Sequence, residues 1–136
     1  MFVSKGIIQY DDSDGFRMTV KVNQDFSNYY RALIPKYFNV VRPRWSAHIT
    51  AIRPEFDIPP KIRYWGDYEG EEIEFLYDPY VFCDKGFYWL DAWSKRLEDI
   101  RTELGLPNTS ARPVVRAGFS KIFHCTIGNY TENLPV

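Results

Sequence analysis

The chain has 136 residues, of which 45% are apolar and 26% charged, and this composition is typical of one soluble globular domain. Its 17 basic and 18 acidic residues leave a net charge of -1, which argues against a protein that coats duplex DNA through bulk positive charge. Aromatic residues make up 18% of the chain, so we expect some of them to act as stacking surfaces for flat ligands.

The sequence also predicts a compartment. No apolar run approaches the ~18 residues that span a membrane, and no signal peptide is visible at the N-terminus. The two cysteines, Cys83 and Cys125, are too few for a disulfide framework. We therefore expect a single domain over residues 1–136, in a reducing cytoplasm and with no membrane partner.

The first half of the chain predicts a β-hairpin, a helix and a strand. Apolar residues at Gly6–Tyr10 and alternating residues at Phe16–Val22 flank an aspartate-rich turn segment, which is typical of a hairpin. Apolar residues then recur at helical spacing between about residues 23 and 34, and Pro35 disfavours a longer helix. Alternation returns at Trp45–Ile52 and predicts a strand.

The second half repeats this order after a loop at Pro54–Gly70. Its predicted elements are strands at Glu72–Tyr77 and Phe87–Leu90 around Asp78–Pro79, a helix at Asp91–Leu104 ended by Gly105, and a strand at Lys121–Gly128. The charges of this helix have mixed signs and predict a plain solvated face; they are Lys95, Arg96, Glu98, Asp99, Arg101 and Glu103. Two halves with the order β-β-α-β predict an α+β domain built by pseudo-duplication.

The most specific signal in the chain is a repeated three-residue pattern. The chain has two histidines, His48 and His124, and each lies in a predicted strand two residues before a threonine, Thr50 and Thr126. Side chains at positions i and i+2 of a strand point to the same face. Each strand therefore presents an imidazole and a hydroxyl group side by side.

These side chains suit the cleavage of a phosphodiester without a metal ion. The reaction needs a base for the attacking group, an acid for the leaving alkoxide, and donors to the phosphoryl oxygens. Histidine can fill either proton role near neutral pH, and threonine can donate to the oxygens. We therefore predict His48, Thr50, His124 and Thr126 as catalytic residues. The sequence leaves open which histidine is the base, and whether water or a ribose 2'-hydroxyl group attacks.

The two H-x-T motifs resemble the signature of the 2H phosphoesterase superfamily. That family carries two H-x-[ST] motifs on strands of a bilobal α+β fold, so the resemblance implies two antiparallel sheets in a pseudo-two-fold arrangement with flanking helices. Its members include 2',5'-RNA-ligase-like proteins and cyclic nucleotide phosphodiesterases. More narrowly, the small size and the segment from Tyr29–Arg31 through Pro43–Trp45 resemble a phage group that cleaves the cyclic oligonucleotide messengers of bacterial CBASS defence.

The resemblance implies a hydrolase that degrades cyclic di- or trinucleotides as a phage counter-defence, in the cytoplasm of the host. Three alternatives remain open: an RNA 2',3'-cyclic phosphodiesterase, a module that sequesters cyclic nucleotides without turnover, and a structural protein in which the motifs are coincidental. The net charge of -1 argues mildly against RNA processing. The sequence also allows an oligomer, in which a neighbouring subunit would cover the ligand.

Other residues are candidates for contacts with a nucleotide. Basic residues flank both motifs and could bind phosphate; they are Arg42, Arg44, Arg53, Arg112, Arg116 and Lys121. Arg44 is the first candidate among them. Tyr10, at the end of a strand, and Trp65, in a loop, are candidates to stack on nucleobases, whereas Trp89 alternates within a strand and is expected to pack against neighbours.

No metal site or other cofactor is predicted, because the chain lacks C-x-x-C and H-E-x-x-H spacings and zinc requires three or four ligands. Cys125 should face away from His124 into the core. Cys83 should be buried or partly buried. Neither cysteine has an obvious base on its own face, so neither is expected to act as a nucleophile.

Overall fold

The computed structural model describes residues 2–35, 40–41, 46–110, 112–114 and 116–130. The elements in these ranges are β1 (Phe2–Asp11), β2 (Arg17–Val22), α1 (Gln24–Ala32), β3 (Val40–Val41), β4 (His48–Ile52), β5 (Glu72–Asp84), β6 (Phe87–Trp93), α2 (Lys95–Glu103) and β7 (Phe123–Tyr130). No helix in these ranges is both long enough and apolar enough to cross a membrane.

Six of the strands form a closed antiparallel ring. Their order is β7-β4-β2-β1-β5-β6, and β6 pairs back with β7 to complete a barrel. The short strand β3 is an addition, since it pairs with the end of β7 beyond the part of β7 that contacts β4. Closure gives both sides of each ring strand a neighbour for backbone hydrogen bonds.

The expected bilobal α+β fold with two antiparallel sheets is wrong. The described chain is mostly β, with one barrel and two short helices. The physical reason lies in β5, which has 13 residues and lies between β1 and β6 in the sheet. Its residues Glu72–Tyr77 pair with β1 on one side, and β6 pairs on the other side with Leu76–Tyr77 and Val81–Asp84, so this one strand joins the two halves into a single sheet. The predicted order β-β-α-β does occur in both halves, apart from the extra β3.

Two boundaries in the second half also differ from the prediction. Asp78–Pro79 lies inside β5, where the pairing with β6 shifts register and accommodates the proline. The chain turns instead at Lys85–Gly86, where both residues have positive φ. Asp91–Trp93 belongs to β6 rather than to α2, which begins after Ser94 because the hydroxyl of this residue accepts a hydrogen bond from the first turn.

The remaining predicted elements are confirmed. β1 and β2 form the expected hairpin, and the side chain of Asn23 caps α1 by accepting a hydrogen bond from the backbone N–H of Asp25. The strands around both histidines are present as β4 and β7. Gly105 follows the last turn of α2 with φ 81°, a conformation that favours glycine and ends the helix.

One hydrophobic cluster draws on all six ring strands and on both helices. Its largest fully buried side chains include Phe75, Ile8, Met18, Ile49, Leu90, Leu97, Ile100 and Ile127. Ile49 and Cys125 lie opposite each other on β4 and β7, and both are fully buried. Since side chains alternate along a strand, the residues just before and just after Ile49 and Cys125 point away from the core. The H-x-T residues occupy those positions.

Candidate active site

The two H-x-T motifs lie side by side on paired strands. β4 and β7 run antiparallel, with His48 opposite Thr126 and Ile49 opposite Cys125. Continuing this register by one residue places Thr50 opposite His124. The four motif side chains are all half-buried on the face opposite the core. The structure therefore brings together the four residues that the sequence predicted as catalytic.

The antiparallel register gives each histidine two hydroxyl neighbours. His48 lies across from Thr126 and two residues before Thr50. In the same continued register, His124 lies across from Thr50 and two residues before Thr126. The two histidines are diagonal neighbours, for which Cα atoms are about 7–8 Å apart. A phosphodiester group lying over the paired strands could therefore be approached by an imidazole from two sides.

The surface around the motifs contains two concavities. Thr50 and His124 line one of about 450 Å³, which extends past the ends of β4 and β7. His48 lines another of about 610 Å³, together with Tyr10 and other residues of β1 and β2. Thr126 lines neither of these two. A ligand that touches both histidines must therefore extend across the β4–β7 pair.

A backbone carbonyl orients His48. The ring Nδ1 lies 2.7 Å from the carbonyl oxygen of Ser46. Because a carbonyl oxygen can only accept, Nδ1 carries the hydrogen and donates it. This arrangement leaves Nε2 to exchange a proton with a ligand. Lys21 lies directly across from His48 on β2 and lines the same concavity. His48 therefore has a cationic neighbour on β2 and a threonine neighbour on β7.

Stacked rings pack against His124, and a carboxylate lies nearby. The indole of Trp89 stacks on the imidazole with ring centroids 5.1 Å apart, and Phe82 stacks on Trp89 in turn at 5.7 Å. The imidazole Nε2 lies 3.9 Å from Oδ1 of Asp91, which is directly opposite on β6. Arg112 donates a hydrogen bond of 2.6 Å to the same oxygen. Asp91 is therefore held by a guanidinium group and lies beside the candidate catalytic ring, beyond hydrogen-bond distance.

The surroundings of His124 favour its neutral form. Burial lowers the pKa of His124 from 6.5 to about 4, and Asp91 opposes this shift. The positive charges of Arg53, Arg112 and Lys121 lower the pKa further. At neutral pH the imidazole is therefore uncharged and able to accept a proton.

The lowered pKa of His124 predicts a pH-dependent contribution to stability. Between the unfolded value of 6.5 and the folded value of about 4, the unfolded chain binds more protons. The contribution is therefore complete above pH 6.5 and is lost as the pH falls through 4. Because 38% of the side chain is exposed, solvent screening reduces it to about 1 kcal/mol.

Denaturant unfolding of the native protein and of His124→Gln, at about pH 7.5 and about pH 4.5, measures this contribution. On acidification, the native protein should lose about 1 kcal/mol more of its free energy of unfolding than the variant loses. An equal loss in both proteins would contradict the lowered pKa.

Sequence reasoning missed the surroundings of His124. It placed Asp91 at the start of a helix, and it assigned Trp89 to packing without linking it to the histidine. The alternation of the core residues Tyr88, Leu90 and Ala92 could have placed Trp89 and Asp91 correctly. Their alternation continues through the true end of β6, so residues 89, 91 and 93 share the opposite face, which is also the face of His124.

The expected solvated face of α2 is wrong for two residues. Glu98 and Arg101 have exposures of 1% and 2%. The Glu98 carboxylate accepts hydrogen bonds from the backbone N–H groups of Ser120 and Lys121. It therefore holds the segment that leads into β7 and the second H-x-T motif. Sequence periodicity places these charges on the helix but cannot show which segments cover them.

Arg101 connects three segments beside the candidate site. Its guanidinium group donates to the carbonyl oxygen of Ala51 in β4 and to that of Pro107 in the following loop, both at 2.7 Å. It also forms an ion pair of 3.2 Å with Asp57, in the loop after β4. These bonds shape the wall of the concavity that His124 lines.

The basic residues near the motifs have different positions. Arg53, Arg112 and Lys121 line the concavity that contains His124. Arg116 instead pairs with Asp78 and lies over the ring of Trp93. Arg44, the first sequence candidate for a phosphate contact, lies outside the described residues, as do Arg42 and Trp45.

The two candidate stacking residues pack against each other. Tyr10 lines the concavity that contains His48, and burial raises the pKa of its hydroxyl to about 12. Trp65 packs edge-on against Tyr10 and Phe16, with ring centroids 4.8 and 4.9 Å away, and its Nε1 donates to Asp12. Trp65 lines neither concavity beside the motifs. It therefore supports Tyr10, which remains the candidate for ligand contact.

The cysteines also have different positions. Cys125 is fully buried on the core face, as predicted, and burial raises the pKa of its thiol to about 12. Cys83 is exposed, so the prediction of a buried or partly buried thiol is wrong. It lies at the end of β5, beside the turn into β6, where the barrel core does not reach.

Comparisons of the chain with protein-family models, with curated proteins and with solved structures find no match. Across the described ranges, no group of three or more histidine, cysteine, aspartate or glutamate side chains is placed to hold a metal ion. Chemically, the site combines a neutral imidazole, a second imidazole oriented by a carbonyl, two hydroxyl groups and nearby cations.

Proposed function

We propose that the chain is a phosphodiesterase in which two histidines act as base and acid on one phosphodiester group without a metal ion. The register of β4 and β7 is the observation that supports this most, because it sets His48 and His124 diagonally with a threonine beside each. Binding alone would not require two imidazoles around one position. The resemblance to the 2H phosphoesterases points to the same reaction.

In the proposed mechanism, His124 is the base. Its neutral imidazole takes the proton from the attacking hydroxyl group or water as the new P–O bond forms. His48 is the acid, and its Nε2 donates a proton to the leaving alkoxide as the opposite P–O bond breaks. Thr50 and Thr126 donate hydrogen bonds to the non-bridging oxygens, whose negative charge grows in the transition state.

The two concavities favour a substrate with more than one nucleoside. His48 and His124 open to different concavities, so a ligand centred between them has room on both sides of the scissile bond. Aromatic side chains are available on both sides, with Tyr10 in one concavity and Phe56, which is 76% exposed, in the other. We therefore propose cyclic di- or trinucleotides as substrates, and counter-defence against CBASS immunity as the biological role.

A cleavage assay in excess EDTA tests this proposal. The protein is incubated separately with a cyclic dinucleotide and with a nucleoside 2',3'-cyclic phosphate, and the products are separated by chromatography. We expect turnover of the cyclic dinucleotide, with EDTA making no difference.

The other outcomes each point to a different function. Turnover of the 2',3'-cyclic phosphate alone would favour RNA-end processing. Tight binding of either compound without turnover would favour a module that sequesters nucleotides. If the protein neither cleaved nor bound these compounds, that result would contradict the proposal of a nucleotide ligand of this class.

A further inference from the structure

The concavity that His124 lines continues into a group of cationic side chains. These are Arg53, Arg101, Arg112 and Lys121. Arg53 directly follows β4 and Lys121 lies two residues before β7, and the charge of Arg53 is one of those that act on Lys121. Arg53 lies three residues after Thr50, and Lys121 lies three residues before His124, which is about 10 Å along extended backbone. The pair therefore stands beyond the motifs, at one end of the same concavity.

The four cations differ in their partners. Arg101 pairs with Asp57, and Arg112 pairs with Asp91. Among the described residues, no carboxylate lies within ion-pair distance of the Arg53 guanidinium or the Lys121 ammonium. Two of the four cations at this end of the concavity are therefore not neutralised by an ion pair with a described carboxylate.

Lys121 is not an ordinary surface lysine. It is half-buried, and its Nζ donates to the carbonyl oxygen of Thr109 at 3.0 Å. Burial lowers the pKa of Lys121, and the charges of Arg101 and Arg53 add to this effect, while Asp57 opposes it. Removing a cation from water without an ionic partner is unfavourable. An anion bound at this position would offset that cost.

We propose that Arg53 and Lys121 form a second phosphate subsite, which holds the phosphodiester group adjacent to the one between the histidines. This inference rests on the proposed function and narrows it to substrates with at least two phosphates. Phe56 lines the same concavity and is 76% exposed, so it offers a ring face to the nucleobase between the two phosphates. The subsite would select oligonucleotides over mononucleotides.

Binding measurements with ligands of one and two phosphates test the subsite. The probes are cyclic di-AMP and cyclic di-GMP, with two phosphates, and the matching nucleoside 2',3'-cyclic phosphates, with one. Titration calorimetry is done in a His48→Ala background, so that turnover does not consume the ligand. Lys121→Met should weaken binding of a cyclic dinucleotide roughly tenfold, because it removes a charged hydrogen bond. It should change binding of the one-phosphate probe less than about twofold.

Matched variants separate charge from folding. Lys121→Arg keeps the charge and should keep most of the affinity. Lys95→Met removes an exposed lysine of α2 that pairs with Asp99, and it should change neither affinity. Arg53→Met provides a second test in case Lys121→Met does not fold, and it should show the same preference.

Each remaining outcome bears on the subsite or on catalysis separately. Equal weakening of both kinds of ligand, or weakening of neither, would overturn the second subsite while leaving the phosphodiesterase proposal intact. Selective weakening in a protein that cleaves neither compound would support the subsite and contradict the proposed catalysis. Failure of the unmodified protein to bind any probe would contradict both.

Discussion

Replacing either His48 or His124 with alanine is expected to lower turnover at least about 100-fold, the usual contribution of general acid–base catalysis. The two residues handle different protons of one reaction, so neither can replace the other. Ligand binding should persist, because the threonines and the surrounding cations remain. The measurement is kcat with a cyclic dinucleotide, together with the dissociation constant from titration calorimetry.

The threonines supply a control for this experiment. Thr50→Val and Thr126→Val keep the side-chain volume but remove the hydroxyl, and should lower kcat by roughly tenfold each. The corresponding serine variants keep the hydroxyl and should recover most of that loss. Full activity in both histidine variants would show that the proposed mechanism is wrong. Loss of binding together with turnover would instead indicate a structural role for the histidines.

Replacing Arg101 with methionine is expected to lower the free energy of unfolding by about 3–5 kcal/mol. The variant removes the bonds from α2 to Ala51 and Pro107 and leaves the carboxylate of Asp57 without its ion-pair partner. Arg101 is 2% exposed, so water cannot readily replace these bonds. Denaturant unfolding monitored by tryptophan fluorescence measures the change.

Arg96 provides a matched control on the same helix. It forms a 2.8 Å ion pair with Glu71, but its side chain is 40% exposed. Arg96→Met should therefore lower the free energy of unfolding by less than about 1 kcal/mol. If the two variants were equally stable, the segments around Arg101 would not depend on its buried contacts. A destabilised Arg101 variant should also lose affinity for ligand in the concavity beside His124, which Arg96→Met should retain.

Much of the local structure could be predicted because its causes are local. Alternation over Phe16–Val22 and the aspartate-rich turn before it are enough to form a hairpin, since both operate between near neighbours. The same period of two predicts that Cys125 faces the core while His124 and Thr126 face away. The placement of each H-x-T pair on one strand face therefore follows from the sequence alone.

The relation between the two motifs could not be predicted in this way. Each motif orders only its own strand, whereas the pairing of His48 with Thr126 joins positions far apart in the chain. The bilobal two-sheet expectation is wrong for a similar reason. Local alternation predicts that residues 72–77 form a strand, but it does not show that the strand continues to Asp84 and pairs with β1 on one side and with β6 on the other.

The buried charged residues show most clearly the difference between features that can be predicted from the sequence and features that arise on folding. The order of the strands and helices, and the faces on which His48 and His124 lie, follow from the amino-acid sequence, because backbone periodicity sets those features; the ends of β5, β6 and α2 do not. The burial of Glu98 and Arg101 and the position of Asp91 beside His124 come from the packing of the folded chain. These contacts join loops and strands from distant parts of the chain. They can form and stabilise the fold only when the barrel has closed.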